Sequence, residues 1–372
     1  MSGCAGPSPG SPRSSGTGSS PSTGAVKSVN RELEQEARDL AGLKGYVTHL
    51  AACPDGTPVT PEFAIGSYHE LRTIEGCRGQ AVASGCLRRF RSWDGTELAY
   101  RAAGSGPPLA CIPGGPGQAA EYLGDLGELT GYRTLILLGN RGTGASHAPQ
   151  DPVTYRVDRL IRDVEAPRGH LGLDRMDLPG HSASGGTCLL YAAEHRRRLG
   201  HLVLVAPSLR VVGIQPDLGV EEVLARRAHE PWYSSAAAAL SAEATSPQEL
   251  ERYRWLAAPL LYGQWNAAAQ AQAAAEPSQF AQQATEGFYA GFDPDPELPG
   301  QLAALAVPVL LVAGEDDIWP TCTSVRELAA LLGNADLAQL PQTGHFPWVD
   351  DPVLSAATVH QFLARQPGPP DA

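Results

Sequence analysis

The sequence has no apolar run long enough to cross a membrane and no excess of positive charge. Its longest apolar stretch, residues 302–313, is interrupted by Pro308, whereas a spanning helix needs about 20 apolar residues. Acidic residues outnumber basic ones and give a formal net charge of -12, which argues against nucleic acid or an anionic membrane surface as a partner. The sequence also lacks the pattern of a signal peptide, so we expect a cytoplasmic protein.

Closely spaced cysteine pairs are also absent. The seven cysteines are an odd number without paired spacing, which favours free thiols in a reducing compartment over a disulfide framework or a zinc site. We therefore expect no metal, and nothing in the sequence indicates a cofactor.

The chain is uneven in composition. Residues 1–24 are dominated by Ser, Gly and Pro, a composition that buries too little apolar surface to offset chain entropy. A short helix is predicted within residues 29–44, with Asn30 as its cap. Residues 51–85 are rich in turn formers, and we expect residues 1–84 to be a disordered or poorly ordered extension.

From residue 85 onward, short apolar runs alternate with helix-length stretches. A hairpin is predicted over residues 87–103 around the turn Trp93-Asp-Gly95, because Asp-Gly is a strong turn signal. Alternation of this kind predicts an α/β fold, a mostly parallel sheet with helices on both faces. Residues 208–300 contain no strand pattern and read as helices, so we predict a core formed by residues 85–207 and 301–368 with an inserted helical cap formed by residues 208–300.

A candidate nucleophile lies in Gly180-His-Ser-Ala-Ser-Gly185, between a short apolar strand and a helix-forming run. A serine hydroxyl needs a base to take its proton and donors to hold the oxyanion that forms. A sharp strand-to-helix turn exposes the hydroxyl of Ser182, and the amide of the next residue, Ala183, begins a helix whose positive end favours negative charge.

Two further strand ends supply the partners of Ser182. Residues 307–314 form a continuous apolar strand pattern, and three acids follow: Glu315, Asp316 and Asp317. His345 lies on a loop bounded by Gly and Pro, just after another short strand. The order serine, acid, histidine is that of an α/β-hydrolase triad, although the spacing alone leaves three acids in competition.

The oxyanion requires a second amide, usually from the loop after an earlier strand. Residues 109–112 are apolar and lead into Pro113-Gly-Gly-Pro-Gly117, where glycines let the backbone turn its amides inward. Gly115 is the preferred donor, and Gly114 is the alternative.

With these motifs together, residues 87–362 resemble an α/β-hydrolase of the proline iminopeptidase type, peptidase family S33. The resemblance implies Ser182 as nucleophile, Asp317 as the acid, His345 as the base, and an oxyanion hole formed by Gly115 and Ala183. It also implies a helical cap inserted after the strand at residues 202–205. The residues that carry the resemblance are Pro113-Gly-Gly-Pro-Gly117, Asn140-Arg-Gly-Thr-Gly-Ala-Ser146, Gly180-His-Ser-Ala-Ser-Gly185, Gly314-Glu-Asp-Asp317 and Gly344-His-Phe-Pro-Trp348.

Four positions depart from what the family or a regular helix requires. Pro113 replaces a histidine, Gly139 replaces an acid two residues before Arg141, and Ser184 replaces a glycine. Pro167 lies within a predicted helix over residues 157–171, where proline removes a backbone bond at a cost of about 3 kcal/mol. These departures keep an inactive binding protein of the same fold open as an alternative.

The substrate is the least constrained part of the prediction. An aminopeptidase needs a carboxylate for the positive amine of its short peptide substrate, and Glu230 and Glu286 are the candidates. Trp232 is a candidate wall of an apolar pocket for proline or another small residue. An esterase that acts on small-molecule esters uses the same catalytic groups and is the alternative.

Overall fold

A computed structural model describes residues 85–365 of the protein. The predicted extension over residues 1–84, with its short helix, lies outside the described residues. Within residues 85–365, no helix is both long and apolar enough to cross a membrane. Nor does that range hold three or more His, Cys, Asp or Glu side chains placed to bind a metal ion.

An eight-stranded sheet forms the centre of the described chain, in the spatial order β1-β2-β4-β3-β5-β6-β7-β8. The first two strands pair in an antiparallel hairpin, β2 is also antiparallel to β4, and the remaining neighbours are parallel. The strands are β1 (Cys86–Arg91), β2 (Glu97–Gly104), β3 (Pro108–Cys111), β4 (Thr134–Leu138), β5 (Met176–His181), β6 (Leu199–Val205), β7 (Val309–Gly314) and β8 (Ala335–Leu340).

Eleven α-helices are present in the described range. Their bounds are α1 (Ile161–His170), α2 (Ala183–His195), α3 (Val220–Arg227), α4 (Tyr233–Leu240), α5 (Pro247–Ala257), α6 (Ala267–Ala275), α7 (Gln282–Gly287), α8 (Leu298–Ala303), α9 (Cys322–Leu332), α10 (Pro347–Asp350) and α11 (Pro352–Leu363). The predicted α/β-hydrolase architecture, with a mostly parallel sheet, is confirmed.

The central strands are buried on both faces. Every residue of β4, β6 and β7 is buried, which is why these strands read as continuous apolar runs rather than as an alternating pattern. One buried cluster packs on each face of the sheet, with Leu204 and Leu311 in the first and Val203 and Leu310 in the second. This layered packing holds the carboxyl ends of β5 and β7 in fixed positions.

Between Val205 and Val309 the chain forms helices and no strand. We call residues 208–300 the helical segment, after the predicted cap. Helix α8 crosses residue 300, where the cap was predicted to end, and its Leu298 and Leu302 are buried in the same cluster as residues of α2 and α9.

Arg141, two residues after Gly139, is fully buried in an ion-paired cluster. Its Nε and Nη2 atoms donate to Asp163 at 2.6 Å each, and its Nη1 atom donates to Asp94 at 2.8 Å. At Gly139, a Cβ would lie 2.8 Å from the hydroxyl of Ser146. An acidic side chain at position 139 would therefore clash with Ser146. Arg141 is paired instead with Asp94 and Asp163, which are farther away in the sequence.

Pro167 is accommodated inside α1, which is shorter than the predicted helix over residues 157–171. Side-chain bonds hold α1 on both sides of the proline. Asp163 accepts hydrogen bonds from Arg141 and from Ser92, and the guanidinium of Arg168 pairs with Glu165 at 2.5 Å. These contacts keep the helix in place although proline supplies no N–H.

The prediction of free thiols is correct for three of the described cysteines and wrong for the fourth. Cys111, Cys188 and Cys322 are free, whereas Cys86 is disulfide-bonded. Cys86 begins β1, and the spacing of the cysteines along the sequence did not reveal this bond.

Candidate active site

Ser182 occupies the turn between β5 and α2. Its backbone angles are φ 53° and ψ -122°, a region that residues with a side chain rarely adopt and that concentrates at functional sites. The turn is held by two amides, those of Gly185 and Ser208, which both donate to the carbonyl of Ser182 at 2.8 Å. The backbone thus fixes a strained conformation that presents the Ser182 hydroxyl.

The imidazole of His345 bridges Ser182 and Asp317. Its Nε2 atom lies 2.9 Å from the Ser182 hydroxyl, and its Nδ1 atom lies 2.9 Å from Oδ2 of Asp317. The side chain of Asp317 is completely buried, and its other oxygen accepts the amide of Trp319 at 2.9 Å. The three predicted residues therefore meet in a single hydrogen-bonded line.

The two competing acids point elsewhere. Asp316 lies 3.5 Å from the guanidinium of Arg226, and Glu315 is exposed at the surface. Burial raises the pKa of Asp316, and Arg227 and Arg226 oppose this increase. The geometry thus singles out Asp317 among the three acids that the sequence left open.

The loop after β3 approaches the Ser182 turn closely. A Cβ at Gly114 would lie 2.8 Å from Cβ of Ser182, so only glycine fits there. The Gly114 amide donates to the hydroxyl of Tyr122 at 2.6 Å and is therefore already engaged, which favours Gly115 as the oxyanion donor. Ala183 is the first residue of α2, where amides have no acceptor within the helix.

Ser184, which replaces the family glycine, is buried and uses its hydroxyl. The Oγ atom lies 2.8 Å from the carbonyl oxygen of Ile112 and 3.0 Å from that of His181, and it accepts the amide of His181 at 3.2 Å. The serine therefore links β5 to the end of β3 instead of straining the turn.

The helical segment supports the His345 loop through its backbone. The carbonyl of Leu261 accepts the amide of His345 at 2.7 Å. The carboxylate of Asp350 accepts the amides of Gly344 at 2.8 Å and Gly263 at 2.9 Å. The bonds of Leu261 and Gly263 join the helical segment to residues 345–350, whereas the bond between Gly344 and Asp350 closes the His345 loop on itself. The segment therefore helps to hold His345 in place.

A second contact joins the helical segment to the loop that carries Gly115. The amide of Ala119 donates to the carbonyl of Gln279, and the amide of Ala281 donates to the carbonyl of Gly117, both at 2.9 Å. The hydroxyl of Thr285 donates to the carbonyl of Pro116 at 2.8 Å. Residues 279–281 thus form an isolated antiparallel bridge with residues 117–119, in which Phe280 lies opposite Gln118, and Thr285 of α7 adds a side-chain bond beside it.

Glu276 is a residue that the sequence reasoning missed. It is partly buried in a one-turn helix, Glu276–Gln279, and lies close enough to His345 for their charges to interact. Burial raises the pKa of the Glu276 carboxyl, and the interaction with His345 acts in the opposite direction. Within residues 85–365 the Glu276 carboxylate has no hydrogen bond or ion pair, so a charged partner would stabilise it.

The predicted substrate contacts lie elsewhere in the helical segment. Glu286 is exposed and accepts a hydrogen bond from Gln282 at 2.8 Å, and Glu230 interacts with the charge of Arg227. Trp232 packs against a small apolar cluster and beneath the guanidinium of Arg227. Over residues 85–365, no hydrogen bond, ion pair or ring contact joins Glu230, Trp232 or Glu286 to Ser182 or His345.

Comparison with known families identifies the scaffold. The family model described as alpha/beta hydrolase fold matches residues 107–352, which include Ser182, Asp317 and His345. The chain belongs to the alpha/beta hydrolase fold family. Most of the described sheet and the whole helical segment fall inside the matched range, so this hydrolase carries the family fold with the segment as an insertion between β6 and β7.

The names of proteins similar to this hydrolase describe more than one activity. A proline iminopeptidase from Saccharolobus solfataricus is 33% identical over 107 residues, 28% of this chain and 34% of the relative. A Caulobacter segnis protein that carries the name carbamate hydrolase RutD is 28% identical over 247 residues, 66% of this chain and 87% of the relative. The esterase RhEst1 from Rhodococcus sp. ECU1013 superposes with a TM-score of 0.59 at 24% identity, covering 75% of this chain and 99% of the esterase.

Proposed function

We propose that the protein is a serine hydrolase that works through an acyl-enzyme on Ser182. The observation that carries this proposal is the line from Asp317 through His345 to Ser182, with both hydrogen bonds at 2.9 Å. A serine that is hydrogen-bonded to a base, which is in turn oriented by a buried carboxylate, is the arrangement that nucleophilic catalysis requires.

In the first half-reaction, the Ser182 hydroxyl attacks the substrate carbonyl while Nε2 of His345 takes its proton. Asp317 holds Nδ1–H of the imidazole and stabilises the imidazolium that forms. The carbonyl oxygen becomes an oxyanion, and the amides of Gly115 and Ala183 are its donors in this proposal.

Collapse of the tetrahedral intermediate breaks the bond to the leaving group. His345 returns its proton to the leaving nitrogen or oxygen, and the acyl group stays on Ser182. A water molecule then attacks the ester with His345 again as base, which releases the acid and regenerates the serine.

We further propose that the substrate is a peptide with a free amino terminus, from which proline or another small residue is released. Glu276 supports this proposal because it is a partly buried carboxylate whose charge interacts with His345 and more weakly with Arg254, and because it forms no hydrogen bond or ion pair within residues 85–365. An ammonium group would supply an ion-pair partner. Glu276 therefore replaces Glu230 and Glu286 as the proposed amine contact.

Two alternative functions, an esterase and an inactive binding protein, require different features of the site. An esterase would use the same triad without a need for Glu276, and the esterase and carbamate hydrolase names among the relatives keep this alternative open. An inactive binding protein would be favoured if the departures damaged the site. Ser184, Gly139 and Pro167 are accommodated by local contacts, and the carbonyl of Pro113 accepts a hydrogen bond from Asn140 at 3.1 Å.

Covalent labelling tests the hydrolase proposal. A fluorophosphonate probe is expected to label the wild-type protein at Ser182 and to leave the Ser182→Ala variant unlabelled. The variant should unfold at the wild-type temperature, which separates loss of the nucleophile from loss of the fold. A folded wild-type protein that takes no label would contradict the proposal and leave the binding protein.

Matched substrates test the choice of substrate. Prolyl and alanyl arylamides with free amines would be compared with the same compounds carrying a blocked amine, and with short-chain aryl esters. Blocking the amine removes a charged contact worth about 1.5–3 kcal/mol, so kcat/KM should fall by roughly tenfold to hundredfold.

Variants of three glutamates locate the amine contact. Glu276→Gln should abolish the preference for the free amine, whereas Glu230→Gln and Glu286→Gln should keep it. Equal rates on free and blocked amines in the wild type would remove Glu276 from this role. Rapid cleavage of esters with no cleavage of any arylamide would make the protein an esterase.

A further inference from the structure

A chain of hydrogen bonds lies next to the proposed active site. It includes no side chain of Ser182, Asp317 or His345. The Gly114 amide donates to the Tyr122 hydroxyl at 2.6 Å. The Tyr122 hydroxyl lies 2.7 Å from Nδ1 of His181. Nε2 of His181 lies 2.9 Å from the backbone carbonyl oxygen of His345. The chain thus joins the loop after β3 to the loop that carries the base.

The chemistry of the groups fixes the direction of every bond. A carbonyl oxygen only accepts, so Nε2 of His181 carries a proton and donates it to His345. Burial and the neighbouring His345 lower the pKa of His181 well below its usual value, so the ring is neutral and Nδ1 is an acceptor. The Tyr122 hydroxyl must then donate to Nδ1, and its oxygen is left to accept the Gly114 amide.

Aromatic side chains hold His181 in this orientation. Its ring centroid lies 4.8 Å from that of His345, 5.4 Å from that of Phe346 and 4.8 Å from that of Trp348. The ring of Tyr122 packs edge to face against Phe346 at 6.2 Å. Water has little access here, because His181 and Tyr122 are both about 95% buried, so the bonds of the chain have no solvent competitor.

We propose that Tyr122 and His181 are positioning residues that set the oxyanion loop and the His345 loop relative to each other through one continuous hydrogen-bonded chain. This inference rests on the proposed serine hydrolase. The Tyr122 hydroxyl holds the peptide unit next to Gly115, the proposed oxyanion donor, and His181 holds the backbone of His345. Within residues 85–365, neither side chain forms a hydrogen bond with the side chain of Ser182, Asp317 or His345.

The hydrogen-bonded chain also explains why position 122 requires a tyrosine. Phenylalanine at 122 would leave the Gly114 amide without its acceptor, and a buried unpaired amide destabilises the loop unless the loop moves. Movement of the loop would displace the Gly115 amide from the developing oxyanion. The substitution should therefore raise the free energy of the transition state more than that of the bound substrate.

Tyr122→Phe tests the oxyanion end of the chain, with Tyr191→Phe as its matched control. Tyr191 is also buried and donates to Glu165 at 2.6 Å, but it touches neither loop. With 4-nitrophenyl acetate as the probe, Tyr122→Phe should lower kcat by about tenfold to hundredfold with little change in KM. A trifluoromethyl ketone, which forms a tetrahedral adduct on serine, should bind more weakly by a similar factor. Tyr191→Phe should change neither quantity.

His181→Asn tests the other end. The Asn side-chain oxygen stands near the position of Nδ1 and can accept the Tyr122 hydroxyl, but no donor reaches the His345 carbonyl. We expect kcat to fall by roughly tenfold. In the double variant Tyr122→Phe/His181→Asn, the loss should be smaller than the product of the single losses, because each change breaks the same chain.

The outcomes separate this inference from the proposed function. A wild type that reacts with fluorophosphonate while Tyr122→Phe keeps full kcat and full inhibitor affinity would overturn the positioning role alone. If the loss of kcat in the double variant equalled the product of the two single losses, the two residues would act independently. This result would also overturn the positioning role. A wild type that takes no label would bring down the serine hydrolase and the positioning role together. Should Tyr122→Phe fail to fold, the single His181→Asn variant carries the test through its kcat and KM.

Discussion

Thr285 packs directly on the backbone of Gly117. A Cβ at Gly117 would lie 2.5 Å from the Thr285 hydroxyl and 2.7 Å from its amide, and the φ of Gly117 is +77°. This contact sits where residues 279–285 of the helical segment meet the loop that carries Gly115. The spacing of the two elements is therefore fixed by the absence of a side chain.

We predict that Gly117→Ala will lower kcat/KM by about tenfold to hundredfold, because the loop must move to admit the methyl group. Gly213→Ala is the matched control. Gly213 has a similar φ of +73°, yet a Cβ there would meet no atom within 4 Å. The control should lose about 1 kcal/mol of stability from backbone strain and keep its activity. Equal activity losses in the two variants would contradict the prediction.

Asp317→Asn should lower kcat by about ten-thousandfold, since an amide can bond the imidazole in the wrong tautomer. The measurement is turnover of an aryl ester at neutral pH. Asp316→Asn provides the control, because Asp316 pairs with the partly exposed Arg226 at 3.5 Å and such pairs contribute little. If Asp316→Asn proved the more damaging change, the acid would have been assigned to the wrong residue.

Ser184→Ala should destabilise the fold by about 1 kcal/mol, because it removes the buried hydroxyl that bonds the carbonyl of Ile112. Denaturant unfolding measures this difference, and labelling of Ser182 by fluorophosphonate should continue at a comparable rate. An increase in stability would mean that the hydroxyl strains the turn.

The buried, neutral His181 makes stability depend on pH. Its pKa is lowered in the folded protein, whereas an unfolded histidine titrates near about 6.5. The unfolded state therefore binds the extra proton first, and the stability contributed by the neutral ring is lost as pH falls below that value toward the folded pKa. The free energy of unfolding of the wild type should decrease relative to that of His181→Gln between pH 7 and pH 5. Parallel curves for the two proteins would show that His181 does not cause the dependence.

The line from Asp317 through His345 to Ser182 was predictable because each of these residues follows a strand. Parallel strands end at one edge of a sheet, so Ser182 after β5, Asp317 after β7 and His345 after β8 had to lie near one another. The apolar runs of β4 and β7 were recognisable in the sequence because strands buried on both faces consist mainly of apolar residues. Local pattern and topology were sufficient there.

What the sequence did not reveal depends on contacts between distant segments. Glu276 stands in an alanine-rich stretch with no local feature to distinguish it from Glu286, and only the packing of the helical segment brings it close enough to His345 for their charges to interact. Arg141 finds Asp163 and Asp94 through tertiary packing. In the same way, the side-chain partners of His181 come from two distant segments, Tyr122 after β3 and residues 345–348 after β8.

The two backbone attachments of the helical segment limit how this enzyme scaffold can be redesigned. Residues 261–263 hold the His345 loop, and residues 279–285 hold the loop that carries Gly115. A segment transplanted from a relative to alter selectivity would have to reproduce both attachments, or it would disturb the base and the proposed oxyanion donor at once. Residues 220–257 also bear on the first attachment, because the guanidinium of Arg227 donates to the carbonyl of Gly263 and Val223 packs in the same cluster as Leu260. An exchange confined to that stretch would therefore have to keep these two contacts.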